Sequence, residues 1–259
     1  YASGALMNDT ILIAFLFSLI AGLSTGLGSL VAFFIKDFKH RHLSLLMGFS
    51  AGVMIQISFM ELLFSAVTET GFLTANIAFF LGIATIAAID FLIPHEYKEE
   101  KLTEIEKKNK RLMKTGILVA AGIFIHNFPE GIVTLFGAMK DIQLGLMLLI
   151  AVALHNIPEG ISVSTPIYYA TKNRKKAFLW SLLSGIAEPI GAVIGFFVLF
   201  PFINPFVLNM ALAFVAGVMV FISFDELLPL SLSHGEAHLA ITSLFLGMLT
   251  MTAVLATLG

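Results

Sequence analysis

Long apolar stretches alternate with short polar ones along the whole 259-residue chain. A helix that crosses a bilayer needs about 20 consecutive, mostly apolar residues. Eight stretches reach that length, at about 11–35, 43–64, 72–93, 115–137, 142–167, 177–200, 206–230 and 239–258. The runs are continuous and lack the roughly ten-residue alternating segments of a membrane barrel. The pattern therefore predicts an all-α integral membrane protein with eight spanning helices in one domain. Residues 1–10 are expected as an external N-terminal segment. The one long connection, His95 to Lys114, mixes Glu and Lys and reads as a solvated helix or a disordered linker on the cytoplasmic side.

The polar positions that interrupt the apolar runs are not scattered. The string His-Asn-x-Pro-Glu-Gly occurs in span 4 as His126 to Gly131 and again in span 5 as His155 to Gly160. A His and a Glu four residues apart share one helix face. Each acidic or basic side chain at the centre of a spanning helix costs roughly 2.5–3.5 kcal/mol on insertion scales. Two such pairs at membrane depth point to a bound ligand. Imidazole and carboxylate together are ligands for zinc and similar divalent metals. Asn127 and Asn156 fall on the same side as the two pairs. Pro129 and Pro158 each free the carbonyl four residues back, at Ile125 and Leu154, for a cation or water. Two glutamates, Glu130 and Glu159, offset a divalent charge. Span 6 adds a third carboxylate, Glu188, again followed by a proline.

The chain also repeats itself. Ala51 to Leu63 in span 2 and Ala216 to Leu228 in span 7 agree at ten of thirteen positions. Spans 2 and 7 cross in opposite directions, as do spans 4 and 5. This predicts an inverted 3+2+3 arrangement, spans 1–3 against 6–8 with 4 and 5 between them, and inverted repeats with a midplane site mark transporters. Glu61 and Glu226 are equivalent positions near opposite membrane faces. With Asp225 they fit an entrance and an exit for cations. Met54 lies two turns from Glu61 on one face and suits either packing or a thioether ligand. Asp90, His40 and His42 read as solvated end positions, as does the His234-to-His238 segment.

Composition sharpens the picture. The hydrophobic fraction is 58%, the charged fraction 12% and the mean hydropathy +0.95, against about 25% charge in soluble domains. There are no cysteines. That excludes disulfides, iron–sulfur clusters and thiolate metal sites. Of the 15 Lys and Arg, all but Lys140 fall in the connections after spans 1, 3 and 5. The positive-inside bias places those connections in the cytoplasm and both termini outside.

The two hexapeptides, and Glu188-Pro189-x-Gly191 beside them, resemble the signature helices of the ZIP (Zrt/Irt-like) divalent metal transporters. Chain length and the short cytoplasmic loop most resemble the bacterial ZupT-type branch. The resemblance covers all eight spans. It implies a binuclear site, with His126, Glu130, His155, Glu159 and Met54 around one metal. Asn127, Glu130, Asn156, Glu159 and Glu188 would hold the second. Some relatives have Gln-Asp where this chain has His155-Asn156, and often His-Glu where it has Asp225-Glu226. The resemblance also implies uptake into the cytoplasm, a homodimer, and spans 1, 4, 5 and 6 sliding against 2, 3, 7 and 8. The expected cargo is Zn²⁺, with Fe²⁺, Mn²⁺, Co²⁺ and Cd²⁺ as further candidates. No resident cofactor, enzymatic activity or nucleic-acid partner is expected. The competing readings are an intramembrane metal-dependent hydrolase, for which His-Glu-x-x-His is missing, and a metal sensor.

Overall fold

The computed structural model describes residues 2–34, 39–92, 103–199, 204–233 and 237–258. Among the described residues eight helices long and apolar enough to cross a membrane follow one another, and there is no strand. The protein is a multi-pass membrane protein. Span 1 is Ala2–Phe34, span 3 Phe72–Leu92, span 4 Glu104–Lys140, span 5 Ile142–Thr171 and span 8 Ala237–Leu258. The other three are compound. Span 2 runs as His40–Ile57, a π-helical turn at Ser58–Leu63, and Phe64–Thr70. Span 7 does the same with Pro205–Ile222, a π turn at Ser223–Leu227, and Leu228–Ser233. Span 6 is Arg174–Gly185, broken at Ile186, then Ala187–Ile194 and a third π turn at Gly195–Leu199.

Local chemistry sets the ends. Thr103 and Glu106 form a reciprocal cap: the Thr103 N–H donates to Glu106 Oε2 at 2.8 Å, and the Glu106 N–H to Thr103 Oγ1 at 3.3 Å. The stretch Glu104 to Lys114 is therefore helical and continuous with span 4. His95 lies outside the described residues, as does His234. At 37 residues the helix is about 55 Å long, well beyond a hydrocarbon core of about 30 Å, so its first turns stand outside the bilayer. Asn173 and Asn204 cap spans 6 and 7 through Oδ1, at 3.0 Å from the N–H groups of Lys176 and Val207. A single residue, Gly71 with φ 88°, joins spans 2 and 3. An L side chain rarely adopts that angle.

Two of the three π turns start at a serine that makes the same hydrogen bond. Ser58 Oγ donates to the Met54 carbonyl and Ser223 Oγ to the Met219 carbonyl, each at 2.7 Å. A hydroxyl that takes a carbonyl four residues back competes with the helix ladder, and π bulges gather at functional positions. The two turns carry Glu61 and the Asp225-Glu226 pair.

The inverted repeat is visible in how the helices touch. A methyl group on Gly52 of span 2 would meet the Leu244 carbonyl of span 8, and one on Gly247 would meet the Phe49 carbonyl. In the other half Gly217 of span 7 faces the Phe79 carbonyl of span 3, and Gly82 faces that of Phe214. The same reciprocity joins span 4 to 6 (Gly131 to Glu188, Gly191 to Phe128) and span 5 to 1 (Gly160 to Thr25, Gly28 to Ile157). Where span 1 crosses span 6, Gly22 and Gly185 lie against each other's carbonyls. Without a hydrophobic force to join helices in lipid, close backbone packing over small residues does so instead. Spans 1, 4, 5 and 6 form one packed group and spans 2, 3, 7 and 8 another; they meet mainly where span 2 lies on span 5 and span 7 on span 4. Phe80 of span 3 and Phe245 of span 8, equivalent positions, are each 61% exposed. These outer helices turn their aromatic faces to lipid.

Candidate metal centre

Spans 4 and 5 pack along each other, and their hexapeptides meet inside the protein. His126, Asn127, Glu130, His155, Asn156, Glu159 and Glu188 are all at most 3% exposed. Pro129 and Pro158 lie inside unbroken helices. Pro189 is different: span 6 breaks at Ile186, just where its missing N–H and its ring disturb the Gly185 carbonyl.

Each histidine pairs with the glutamate of the other helix, not with that of its own. His126 Nε2 lies 2.8 Å from Glu159 Oε1, and His155 Nε2 lies 3.3 Å from Glu130 Oε1. The i, i+4 spacing thus puts His and Glu on one face, and the antiparallel crossing exchanges the partners. Glu188 is within electrostatic reach of both Glu130 and Glu159. Asn156 Nδ2 donates to Glu188 Oε1 and, at 2.9 Å, to the Ala21 carbonyl. Asn127 Nδ2 donates at 3.3 Å to the Ser184 carbonyl, which occupies the equivalent place in span 6.

The donors here are few and the acceptors many. Asn127 Oδ1, Glu130 Oε2, Asn156 Oδ1, Glu159 Oε2 and Glu188 Oε2 are buried and accept no hydrogen bond among the described residues. A buried carboxylate without a counter-charge costs several kcal/mol, of order 3–5 for a broken pair. Three carboxylates facing two imidazoles fit a cation. Among the described residues no group of three or more His, Asp or Glu is placed to hold a metal ion; the side chains close on one another in His–Glu pairs.

The other residues singled out by sequence separate into two kinds. Met54 is fully buried in the main apolar core, as is its repeat equivalent Met219. Glu61 is exposed and within electrostatic reach of His155. Glu226 is partly buried and accepts a hydrogen bond from Thr115, with Asp225, Asp90 and Lys114 around it. Asp90, read from sequence as solvated, pairs with Lys114 at 3.0 Å and is only 14% exposed. That pair joins span 3 to span 4 and so bridges the two packed groups. Ser50 was not legible as a site residue, yet its Oγ donates at 2.8 Å to the Pro158 carbonyl. Thr25 likewise stands in span 1 where Glu188 stands in span 6, buried and facing Gly160. The matching spacings Gly22/Gly28 and Gly185/Gly191 carried that signal.

Known proteins match this sequence along nearly its whole length. The chain is 48% identical over 264 residues to a zinc transporter ZupT of Chlorobaculum parvum, covering 96% of this chain and 98% of that protein. It is 48% identical over 276 residues to the zinc transporter ZupT of Clostridium perfringens, with 96% of each chain covered. For that of Streptococcus mutans the identity is 46% over 260 residues, covering 96% and 98%. Residues 93–255 match the family described as ZIP zinc transporter. That region holds both hexapeptides, Glu188 and the second half of the repeat. The chain belongs to the ZIP zinc transporter family, a family of transporters rather than of enzymes.

Proposed function

We propose that this protein moves a divalent transition metal, zinc first, across the cell membrane into the cytoplasm. The observation that carries the proposal is the crossed His126–Glu159 and His155–Glu130 pairing, with the unmet oxygens of Asn127, Asn156 and Glu188 beside it. In this reading zinc displaces the two ion pairs and takes His126, Glu130, His155 and Glu159 as ligands. Asn127, Asn156 and Glu188, with the free oxygens of Glu130 and Glu159, receive a second ion. A mixed nitrogen and oxygen set suits zinc-like metals better than Mg²⁺, which prefers octahedral oxygen. Fe²⁺, Mn²⁺, Co²⁺ and Cd²⁺ fit the same set. Glu61 receives the ion from outside, and Glu226 with Asp225 passes it on. The names of the relatives support zinc as the cargo.

Purified protein in liposomes loaded with a zinc-sensitive dye tests this directly. Zinc should enter, and Glu130→Ala protein should pass none above empty liposomes. Near-normal flux in that variant would remove spans 4 and 5 as the transport site. The proposed orientation, both termini outside, rests on the Lys and Arg distribution. The chain has no cysteine, so single cysteines at Lys110 and Asp141 report cleanly. An impermeant thiol reagent applied to intact cells should label position 141 and spare 110.

A further inference from the structure

Outside the metal centre, three cations and a histidine from the ends of spans 2, 4, 5 and 6 gather on two neighbouring tyrosines. Tyr169, near the end of span 5, has its ring 5.2 Å from that of His40, the first residue of span 2. Lys172 Nζ lies 4.2 Å from the centroid of the same ring, and Lys108 Nζ, from the first turns of span 4, lies 5.9 Å from it. Lys108 Nζ is also 3.4 Å from His40 Nε2. Arg174, at the start of span 6, sits 6.0 Å from the Tyr168 ring. All of these positions are helix ends, at the level where spans 2, 4, 5 and 6 leave the bilayer.

Two features separate this cluster from ordinary positive charges on a membrane protein. The charges acting on His40 are those of Lys108 and Lys172, so two ammonium groups have been brought together on one imidazole. The ring faces of tyrosine offset part of that repulsion, but they add no negative charge. Glu106, two residues before Lys108 and so on another side of the helix, has Oε2 held by the N–H and hydroxyl of Thr103, each at 2.8 Å. The second feature is backbone. Lys172 has φ 54°, the one positive φ at a non-glycine residue among those described. Glycine would take that angle without strain. The chain keeps a lysine there, and its ammonium lies over Tyr169.

We propose that Lys108, Lys172, Arg174 and His40 form a binding site for a phosphate group at the membrane surface, with Tyr168 and Tyr169 as its platform. The shared chemistry is a phosphate anion held by several cationic donors. One source is the phosphodiester of an anionic phospholipid such as phosphatidylglycerol, which basic groups at helix ends attract. The other is inorganic phosphate in solution. The inference is independent of the metal cargo.

Native mass spectrometry of the full-length protein with phosphatidylglycerol and phosphatidylcholine of identical acyl chains tests the lipid source. Melting in phosphate against chloride at equal ionic strength tests the soluble one. Phosphatidylglycerol should bind in preference, and K108Q/K172Q should weaken it by roughly thirtyfold, two surface cations having been removed. K108R/K172R should retain it. K107Q/K110Q removes the same charge from other sides of the same helix and should also retain it. Stabilisation by inorganic phosphate alone, lost in K108Q/K172Q, would assign the soluble source. Absence of preference for either anion overturns the proposal. So does an equal loss in K107Q/K110Q, which would mean diffuse charge and no site. Each variant is scored only if its melting in chloride matches the parent; K108R/K172R decides the matter should K108Q/K172Q fold poorly.

Discussion

Spans 2 and 7 carry nearly the same thirteen residues, yet their glutamates meet different company. Glu61 of span 2 acts on His155 in the centre of the protein. Glu226 of span 7 accepts a hydrogen bond from Thr115 and stands among Asp225, Asp90 and Lys114. Ser50 of span 2 holds the Pro158 carbonyl; the matching position in span 7 is Val215, which has no donor to offer. The backbone contacts tell the opposite story, since Gly52 and Gly217 each seat a carbonyl of the neighbouring span in the same way. Packing obeys the twofold relation and polar chemistry departs from it. A passage with equal ends needs no such departure; one whose two ends do different work does.

The comparison can be pressed hardest at the crossed ion pairs. Glu130→Ala and Glu159→Ala should each reduce zinc uptake per folded protein by roughly a hundredfold or more, since a buried pair broken on one side costs about 3–5 kcal/mol. The two losses should be alike, because each glutamate serves the histidine of the other helix. Uptake assays with radioactive zinc, normalised to surface protein, would break the equivalence if one variant stayed near wild type. Next in size is the backbone symmetry. Gly52→Ala and Gly217→Ala should lower stability by about 1–3 kcal/mol each, the usual cost of overpacking, and by similar amounts in a detergent melting series. A large drop for one and none for the other would show that the two crossings are not equivalent under load.

The asparagines sharpen the contrast further. Asn156 donates to Glu188, whereas Asn127 donates to a backbone carbonyl. Asn156→Asp therefore places two carboxylates against each other. Metal-free protein should lose about 1–3 kcal/mol for the lost donor, and added zinc should raise its melting temperature more than it raises the parent's. Asn127→Asp should show the smaller zinc-dependent gain. Equal responses would mean that Glu188 does not single out one of them. The smallest effect is expected at Ser50→Ala, which removes one neutral hydrogen bond worth about 0.5–1.5 kcal/mol. Uptake per folded protein should change by a few-fold, whereas Val215→Ala, at a fully buried core position, should cost stability through the cavity it leaves and keep uptake per folded protein near that of the parent.

The eight spans, the two hexapeptides and the inverted order were legible because each rests on a pattern within one helix: length, spacing or repetition. What lay between helices was less so. The i, i+4 rule puts His126 and Glu130 on one face but does not say which partner each will take across an antiparallel crossing. The π turns were hidden, although Ile-Ser-Phe recurs in both repeats, because a serine hydroxyl has several carbonyls to choose from. All three intramembrane Pro-containing motifs invite a kink, yet only span 6 is broken. Pro189 disturbs the Gly185 carbonyl at a crossing where backbone from span 1 already lies close, while Pro129 and Pro158 are carried within long, packed helices. Asp90 looked solvated because sequence alone does not bring Lys114 beside it.

The carbonyls seated on glycines set a limit on how this chain can drift. A side chain in the way can turn to another rotamer; a backbone oxygen cannot. Positions such as Gly52 and Gly217, or Gly131 and Gly160, should accept almost no replacement in a saturation library selected for function, and they should do so in repeat-related pairs. Lipid-facing positions such as Phe80 and Phe245 should tolerate most apolar residues. The map of forbidden substitutions would thus redraw the twofold axis from genetics alone, with Gly22 and Gly185 at its centre.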